Sequence, residues 1–174
     1  HAIPGVYPTN QILDHLISHG IVGVASGPAE FGPRALGNRS LLADPRGAEM
    51  RDRVNEIKRR QKFRPFAPAI LAEHVDDYFD MPHRWTHSPY MQVTAHCRRP
   101  DLYPAIVHHN GTSRVQTVSR DSGTGLRELL EKWYLLTGCP MLLNTSLNVR
   151  GEPMVNDRAD ADRFESLYNV KVCS

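Results

Sequence analysis

The sequence predicts one α/β domain over residues 1–174. Its apolar residues switch several times between helical spacing and short continuous runs, the pattern of helices that alternate with buried strands. The length of 174 residues suits one ordinary domain, and 40% hydrophobic with 23% charged residues is typical of a globular chain. The same composition excludes collagen-like, coiled-coil and disordered proteins.

The first third of the chain is expected to contain two helices and one strand. An apolar stripe predicts a helix from near Thr9 to Gly20, and the run Ile21–Ala25 predicts a buried strand. A loop rich in glycine and proline, Gly27–Gly37, leads to a second helix at Gly47–Ile57. A basic segment at 58–64 follows that helix.

The rest of the chain is expected to continue this alternation. Asn110-Gly111 is a strong turn signal, so its flanks predict a β-hairpin with strands at Ala105–His109 and Arg114–Val118. The other expected elements are strands at Pro65–Leu71, Met91–His96, Pro140–Leu143 and Val170–Cys173, and helices at His74–Phe79, Leu126–Leu136 and from Asp157 through Leu167.

Positive charge is concentrated in one part of the chain. The 21 basic residues comprise 17 Arg and 4 Lys, and residues 30–64 carry a net charge of +5, whereas the whole chain carries +2. Guanidinium groups bind phosphates and carboxylates through paired hydrogen bonds, so this segment favours an anion site. Codon bias in a GC-rich genome is the alternative explanation for the excess of Arg.

The sequence also predicts a soluble cytoplasmic protein. No apolar run approaches the ~20 residues of a membrane span, and the amino terminus lacks a signal-peptide pattern. Cys97, Cys139 and Cys173 show no CxxC spacing, which argues against a disulfide framework. Adjacent His108 and His109 would point to opposite faces of a strand, so we expect no resident metal.

The loop from Glu30 to Ser40 combines two glycines, a proline and two arginines. Backbone N–H groups of such a loop can approach an anion closely, and Arg34 and Arg39 supply positive charge. The pattern is neither a Walker A loop nor GxGxxG. The alternative is a structural loop whose arginines pair with Glu30 and Asp44.

A second basic motif, Lys58–Pro68, places five cations in seven positions. Charges at this density repel unless an anion or carboxylates neutralise them. One alternative is a solvated basic surface, and another is a single-stranded nucleic-acid site that uses Phe63 and Phe66. Because both phenylalanines lead into an apolar strand, we expect them in the core, which argues against nucleic acid.

Two further segments, Asn110–Thr117 and Leu143–Pro153, place small hydroxyl and amide side chains beside one arginine each, Arg114 and Arg150. Such groups orient phosphate or a polar carbonyl. Turn formation alone is the alternative explanation for both segments.

Four motifs follow one another between Glu30 and Pro153: EFGPRALGNRSLLADPR, FRPFAPAIL, GTSRVQT and LLNTSLNVRGEP. Together they resemble the carboxy-terminal domain of the O-carbamoyltransferases that modify antibiotics and nodulation factors. The resemblance implies a YrdC-like fold, a twisted mixed sheet flanked by helices around a positively charged cavity. It also implies that the domain binds ATP and carbamoyl phosphate and forms carbamoyl adenylate, with Mg²⁺ carried by the ATP phosphates.

The resemblance further implies the site residues. Three motif positions fall on Lys58, Arg34 and Arg114, which we predict to be catalytic through positioning and charge, without a side-chain nucleophile. The residues predicted to bind carbamoyl phosphate and ATP are Arg39, Arg60, Arg64, Thr112, Ser113, Asn144, Ser146, Asn148 and Arg150.

The family usually has a larger amino-terminal domain of the actin-like ATPase type, which transfers the carbamoyl group to an acceptor hydroxyl. Since this sequence lacks it, we expect a fragment limited to the first half-reaction. Gln61, Lys62 and His109–Asn110 depart from the family's pattern, and the first two add positive charge. The alternative is a nucleotide- or nucleic-acid-binding module of the same fold without carbamoylation activity.

Overall fold

A computed structural model describes residues 6–28, 30, 34–83 and 87–174, so the predicted loops at Gly27–Gly37 and 80–89 lie partly outside the described residues. The elements in chain order are α1 (Thr9–His19), β1 (Ile21–Ala25), β2 (Arg39–Ala43), α2 (Ala48–Ile57), β3 (Ala67–Leu71), a 3₁₀ turn (Ala72–His74), α3 (Val75–Tyr78), β4 (Phe79–Asp80), β5 (Val93–Cys97), β6 (Thr112–Val118), α4 (Gly125–Thr137), β7 (Met141–Ser146), α5 (Arg158–Tyr168) and β8 (Val172–Cys173).

The described strands form one mixed sheet in the order β4-β5-β6-β3-β7-β2-β1-β8. Strand β3 pairs parallel with β6 and antiparallel with β7, while β2 pairs antiparallel with both β1 and β7. The predicted α/β class is therefore confirmed.

Helices cover both faces of the sheet because neighbouring strand residues point to opposite sides. One buried cluster joins α1 and α4 to Val22, Val24 and Leu142, and Trp133 of α4 is one of its fully buried side chains. The other cluster joins α2 and α5 to alternate strand residues such as Leu41 and Leu143. The sheet is thus buried on both sides over its central strands.

The predicted hairpin at Ala105–His109 is wrong. Residues 105–109 contain no strand, and β6 pairs instead with β5 along residues 112–115 and with β3 along residues 116–118. The turn signal itself is correct: Gly111 has a positive φ of 81°, and its N–H donates to His108 O at 2.9 Å. The turn leads into β6 from a loop rather than from a strand.

Strand β2 and Phe63 differ from the sequence-based expectation, and the cap of α5 is confirmed. Strand β2 is missed in the sequence analysis, since it opens on Arg39 and Ser40 and its apolar run of three residues is too short to mark a strand. Phe66 belongs to the core, but Phe63 is 73% exposed, so only one of the two phenylalanines was placed correctly. Asp157 caps α5 as predicted, its carboxylate accepting the Asp160 N–H at 3.0 Å.

Candidate anion-binding site

A cavity of about 320 Å³ opens where β6, β3 and β7 meet the basic segment that follows α2. Among the described residues, its lining contains no carboxylate side chain. We call it the cationic cavity, because its charged and titratable lining residues are Arg34, Arg60, Arg64, Arg114 and His108. The polar end of β7 at Asn144–Ser146 forms another part of its wall.

The guanidinium groups of the cationic cavity repel one another. Burial and the neighbouring Arg114 lower the pKa of Arg34, and burial and Arg64 lower the pKa of Arg60 to about 10. Within the described part of the chain, none of these four arginines forms an ion pair with a carboxylate. Such uncompensated charge is stabilised by a bound anion.

Arg60 is oriented by its neighbours before any ligand binds. Its Nε donates to Asn55 Oδ1 at 2.7 Å, and its Nη2 donates to Pro65 O at 3.2 Å. The guanidinium carbon also lies 4.0 Å from the centroid of the Phe66 ring. This fixed orientation lowers the entropic cost of binding an anion.

Asn55 organises the basic segment, and the sequence analysis missed it. Besides accepting from Arg60, its fully buried amide donates through Nδ2 to Lys62 O at 2.9 Å and Arg64 O at 2.8 Å. All three hydrogen bonds therefore hold the loop that carries the cations. The available signal was a lone amide between the apolar residues Val54 and Ile57 on the core face of α2.

Lys58 lies behind the wall of the cationic cavity rather than in its lining. Its Nζ donates to Ser146 O at 2.7 Å, Ser146 Oγ at 3.0 Å and Asn148 Oδ1 at 2.7 Å. Ser146 Oγ donates in turn to Asn148 Oδ1 at 2.6 Å. Burial and, secondarily, Arg60 lower the pKa of Lys58 to about 7. Lys58 thus positions both side chains.

A pair of amides attaches the segment that carries Arg34 to the sheet. Asn144 Nδ2 donates to Ala35 O at 3.1 Å and to Gln116 Oε1 at 2.7 Å. Gln116 Nε2 donates to Leu36 O at 3.3 Å. Strands β6 and β7 therefore fix the backbone beside Arg34, and Gln116 is a second positioning residue that the sequence analysis missed.

Arg39, predicted to bind substrate, is not brought to the cationic cavity. It is fully buried, and its guanidinium donates to Ser26 O at 3.0 Å, Asn38 O at 2.9 Å and Gly27 O at 3.2 Å. Glu30 does not pair with it through the side chain, since this carboxylate accepts the backbone N–H of Arg39 at 3.3 Å. Arg39 therefore has a structural role, but its guanidinium binds loop carbonyls and not Glu30 or Asp44, the partners that the structural alternative expected.

Four other predicted binding residues also lie outside the lining of the cationic cavity: Thr112, Ser113, Asn148 and Arg150. Ser113 is buried and its Oγ donates to Ile106 O at 2.7 Å, while Thr112 Oγ1 donates to Asn110 Oδ1 at 2.7 Å. Arg150 is exposed. Thr112 and Ser113 thus act as turn residues, so of their motif mainly Arg114 faces the cavity.

A smaller cavity of about 120 Å³ adjoins the same hydrogen-bond network, and we call it the aromatic cavity. Asn148 lines it together with Phe164 and Tyr168 of α5. Among the described residues, the buried Tyr168 hydroxyl has no hydrogen-bond partner. Ser146 lines the cationic cavity and Asn148 the aromatic one, so a hydrogen bond of 2.6 Å links their walls.

The described part of the chain shows no metal-ligating cluster, no membrane-spanning helix and no disulfide. It contains no group of three or more His, Cys, Asp or Glu side chains arranged to hold a metal ion. None of its helices is long and apolar enough to cross a membrane. Cys97, Cys139 and Cys173 are all described, buried and free.

The sequence is similar to known proteins over most of its length. A family model described as the carbamoyltransferase C-terminus matches residues 13–172. Nodulation protein NolNO of Sinorhizobium fredii is 44% identical over 144 residues, which cover 81% of this chain and 21% of that protein. Nodulation protein U of Rhizobium tropici is 44% identical over 163 residues, which cover 92% and 28%.

The fold is similar to part of a larger solved structure. The crystal structure of full-length HypF in the phosphate- and nucleotide-bound form matches 95% of this chain with a TM-score of 0.66 and 17% sequence identity. At that identity the likeness shows the fold alone. The chain spans 20% of HypF and 21% to 28% of the two nodulation proteins.

Proposed function

Because this chain belongs to the carbamoyltransferase C-terminal family, we propose that it binds ATP and carbamoyl phosphate and forms carbamoyl adenylate. In this reaction carbamoyl phosphate and water give carbamate and inorganic phosphate. A carbamate oxygen then attacks the α-phosphorus of ATP, and the bond to the β-phosphate breaks to release pyrophosphate. The observation that carries the proposal is the cationic cavity, whose described lining holds four arginines and no carboxylate.

The proposed reaction needs positive charge because both substrates are anions. Two unit charges ~4 Å apart repel by about 4 kcal/mol at an effective dielectric constant of about 20. Arg34, Arg60 and Arg114 lie where they would offset this repulsion and stabilise charge on the departing pyrophosphate. Charge neutralisation and orientation therefore supply the rate enhancement, and no covalent enzyme intermediate is needed.

Lys58 contributes to this proposal as a positioning residue. Three hydrogen bonds direct its Nζ to Ser146 and Asn148 rather than into the cationic cavity. An anion beside Ser146 would favour the protonated amine, because opposite charges stabilise each other. Substrate binding would thus increase the protonated fraction of Lys58, whose pKa is about 7 in the free protein.

The nucleotide would extend across both cavities. We assign its phosphates to the cationic cavity and its base to the aromatic cavity, where Phe164 and Tyr168 offer apolar ring surface. The α-phosphate lies between base and pyrophosphate in ATP, so it would sit near Ser146 and Asn148. Mg²⁺ would be held mainly by the nucleotide phosphates.

Release of pyrophosphate tests the proposal. The chain is incubated with carbamoyl phosphate, Mg²⁺ and ATP labelled at the α-phosphate, and labelled carbamoyl adenylate and pyrophosphate are quantified. We expect equal amounts of both, strictly dependent on carbamoyl phosphate, and at least about tenfold less with Arg34→Gln. Arg99→Gln is the matched control, since Arg99 is exposed and lies outside both cavities.

Two results would contradict the proposal. One is a folded chain that releases no pyrophosphate in the presence of carbamoyl phosphate. The other is pyrophosphate release that Arg34→Gln and Arg99→Gln leave equally unchanged.

One observation favours a second candidate, a single-stranded nucleic-acid site. Phe63 is 73% exposed between Lys62 and Arg64, and exposed aromatic rings beside cations stack with bases. Binding of an oligonucleotide should then weaken steeply with salt in proportion to the phosphates contacted. A one-nucleotide pocket would instead saturate at one equivalent, and ATP would compete for it.

Transfer to an acceptor is a separate proposal. The nodulation proteins that this chain resembles are several times longer, since the match covers 21% to 28% of them. We propose that an amino-terminal domain of the actin-like ATPase type receives the carbamoyl adenylate and carbamoylates a hydroxyl group. We expect the reaction to take place in the cytoplasm, where ATP and carbamoyl phosphate occur together.

A further inference from the structure

The loop that precedes β2 closes around the carboxylate of its own Glu30. Glu30 Oε2 accepts the backbone N–H groups of Leu36 at 3.0 Å and Arg39 at 3.3 Å. Glu30 Oε1 accepts the Asn38 N–H at 3.0 Å. Backbone N–H groups that converge in this way form a site for an anion. The anion here is a side chain of the protein, so these three N–H groups are not free for the substrate anion that the loop motif predicted.

The segment 35–39 is also held through its carbonyl groups. Ala35 O and Leu36 O accept from amide side chains of β7 and β6. The next carbonyl, Gly37 O, accepts from the Tyr7 hydroxyl at 3.3 Å. Burial raises the pKa of Tyr7, so this hydroxyl keeps the proton that it donates. The segment is therefore fixed, without a ligand, through both its N–H and its C=O groups.

This restraint acts on Arg34, which directly precedes the segment and lines the cationic cavity. Burial and the neighbouring Arg114 lower the pKa of Arg34, so the two guanidinium groups repel each other in the free protein. On an unrestrained loop, Arg34 would relieve this repulsion by moving away from Arg114. A fixed segment instead keeps Arg34 at the cavity and lowers the entropic cost of binding an anion.

We propose that Glu30 is a positioning residue for phosphate binding, because its carboxylate folds the segment 35–39 before substrate arrives and so keeps Arg34 at the cationic cavity; this inference rests on the proposed function. Charge alone would give an effect of the opposite sign. Removal of a carboxylate from a loop beside an arginine cavity would tighten the binding of an anion if only charge mattered. Loss of the folded segment would weaken binding, because Arg34 is no longer held in place.

Calorimetric titration with inorganic phosphate tests this inference on Glu30→Gln. The substitution keeps the size of the side chain but removes its charge and one acceptor oxygen. We expect the Kd of Glu30→Gln to be about tenfold higher than that of the parent. In an Arg34→Gln background the same substitution should change Kd by less than about twofold, whereas in Arg60→Gln its effect should stay about tenfold. Glu49→Gln is the matched control, since Glu49 is exposed and lies outside both cavities, and it should leave Kd unchanged.

Hydrogen exchange of the parent tests the same inference without a variant. If Glu30 folds the segment in advance, the amides of Leu36, Asn38 and Arg39 are protected in the free chain. Saturating phosphate should then change their exchange rates by less than about twofold, because the ligand contacts the Arg34 side chain rather than these N–H groups.

Each outcome decides the inference. It is wrong if Glu30→Gln binds phosphate as tightly as the parent or more tightly, or if it weakens binding by the same factor in Arg34→Gln. It is also wrong if the three amides exchange freely in the free chain or become protected only when phosphate binds. If the parent binds no phosphate, the proposed function fails together with this inference. If binding depends on Glu30 as expected but no carbamoyl adenylate forms, only the proposed function fails.

Discussion

Anion binding should raise the pKa of Lys58 and cause this residue to take up a proton. Its Nζ lies 3.0 Å from Ser146 Oγ, and an anion oxygen that accepts the Ser146 hydroxyl proton in place of Asn148 Oδ1 would lie ~6 Å from Nζ. At an effective dielectric constant of about 20, a unit charge pair at ~6 Å contributes about 3 kcal/mol, which raises a pKa by about 2. Starting from a pKa of about 7, Lys58 would then take up about 0.8 proton at pH 8 and about 0.1 proton at pH 6.

Calorimetry in buffers of different ionisation enthalpy measures this uptake directly. Sulfate is the probe, because it remains a dianion at both pH values. His108 also lines the cavity, and burial and Arg114 lower its pKa, so the comparison is made in a His108→Gln background. Lys58→Met should abolish the uptake at pH 8. Equal uptake with and without Lys58, or more uptake at pH 6 than at pH 8, would show that Lys58 is not the group that takes up the proton.

Three other predictions concern the loop, the core and an ion pair. Asn55→Ala should weaken binding of inorganic phosphate by about tenfold, since the basic segment loses three hydrogen bonds; calorimetry would contradict this if Kd stayed constant. Phe66→Ala should lower the free energy of unfolding by about 3–4 kcal/mol and Phe63→Ala by less than about 0.5 kcal/mol, so equal urea midpoints would be the opposing result. Both Glu73 oxygens accept from Arg127, at 2.6 and 2.8 Å, and this contact lowers the pKa of Glu73 to about 2. Glu73→Gln should therefore cost about 2 kcal/mol at pH 7, less than the full pKa shift implies because solvent screens this partly exposed pair. The effect is lost as pH falls from about 4.5 to about 2, and a pH-independent difference in melting would be inconsistent with it.

Much of the fold could be predicted from local patterns, and its errors have a common cause. Helices α1, α4 and α5 show apolar stripes or caps that depend on nearby residues alone. Strand β2 shows neither, because only three of its five residues are apolar and its burial depends on pairing with the distant β7 as well as with β1. The hairpin failed for the same reason, since β5 rather than the adjacent segment pairs with β6.

The part of the candidate site that could be predicted consists of arginines whose motif positions also line the cationic cavity. The resemblance located Arg34, Arg60 and Arg114, and the structure brings all three to one cavity. The sequence could not separate an arginine that faces a cavity from Arg39, which has the same chemistry but binds buried carbonyl oxygens. Asn55 lies on a helix, so its contacts with a following loop become visible only after folding.

The proposed function requires that the cationic cavity binds the phosphate group of carbamoyl phosphate. Calorimetric titration of the folded chain with carbamoyl phosphate tests it most directly, with Arg60→Gln and the control Arg99→Gln measured beside the parent. We predict one equivalent of binding, at least about tenfold weaker in Arg60→Gln and unchanged in Arg99→Gln. Equal affinity in all three proteins, or binding of several equivalents, would contradict the account.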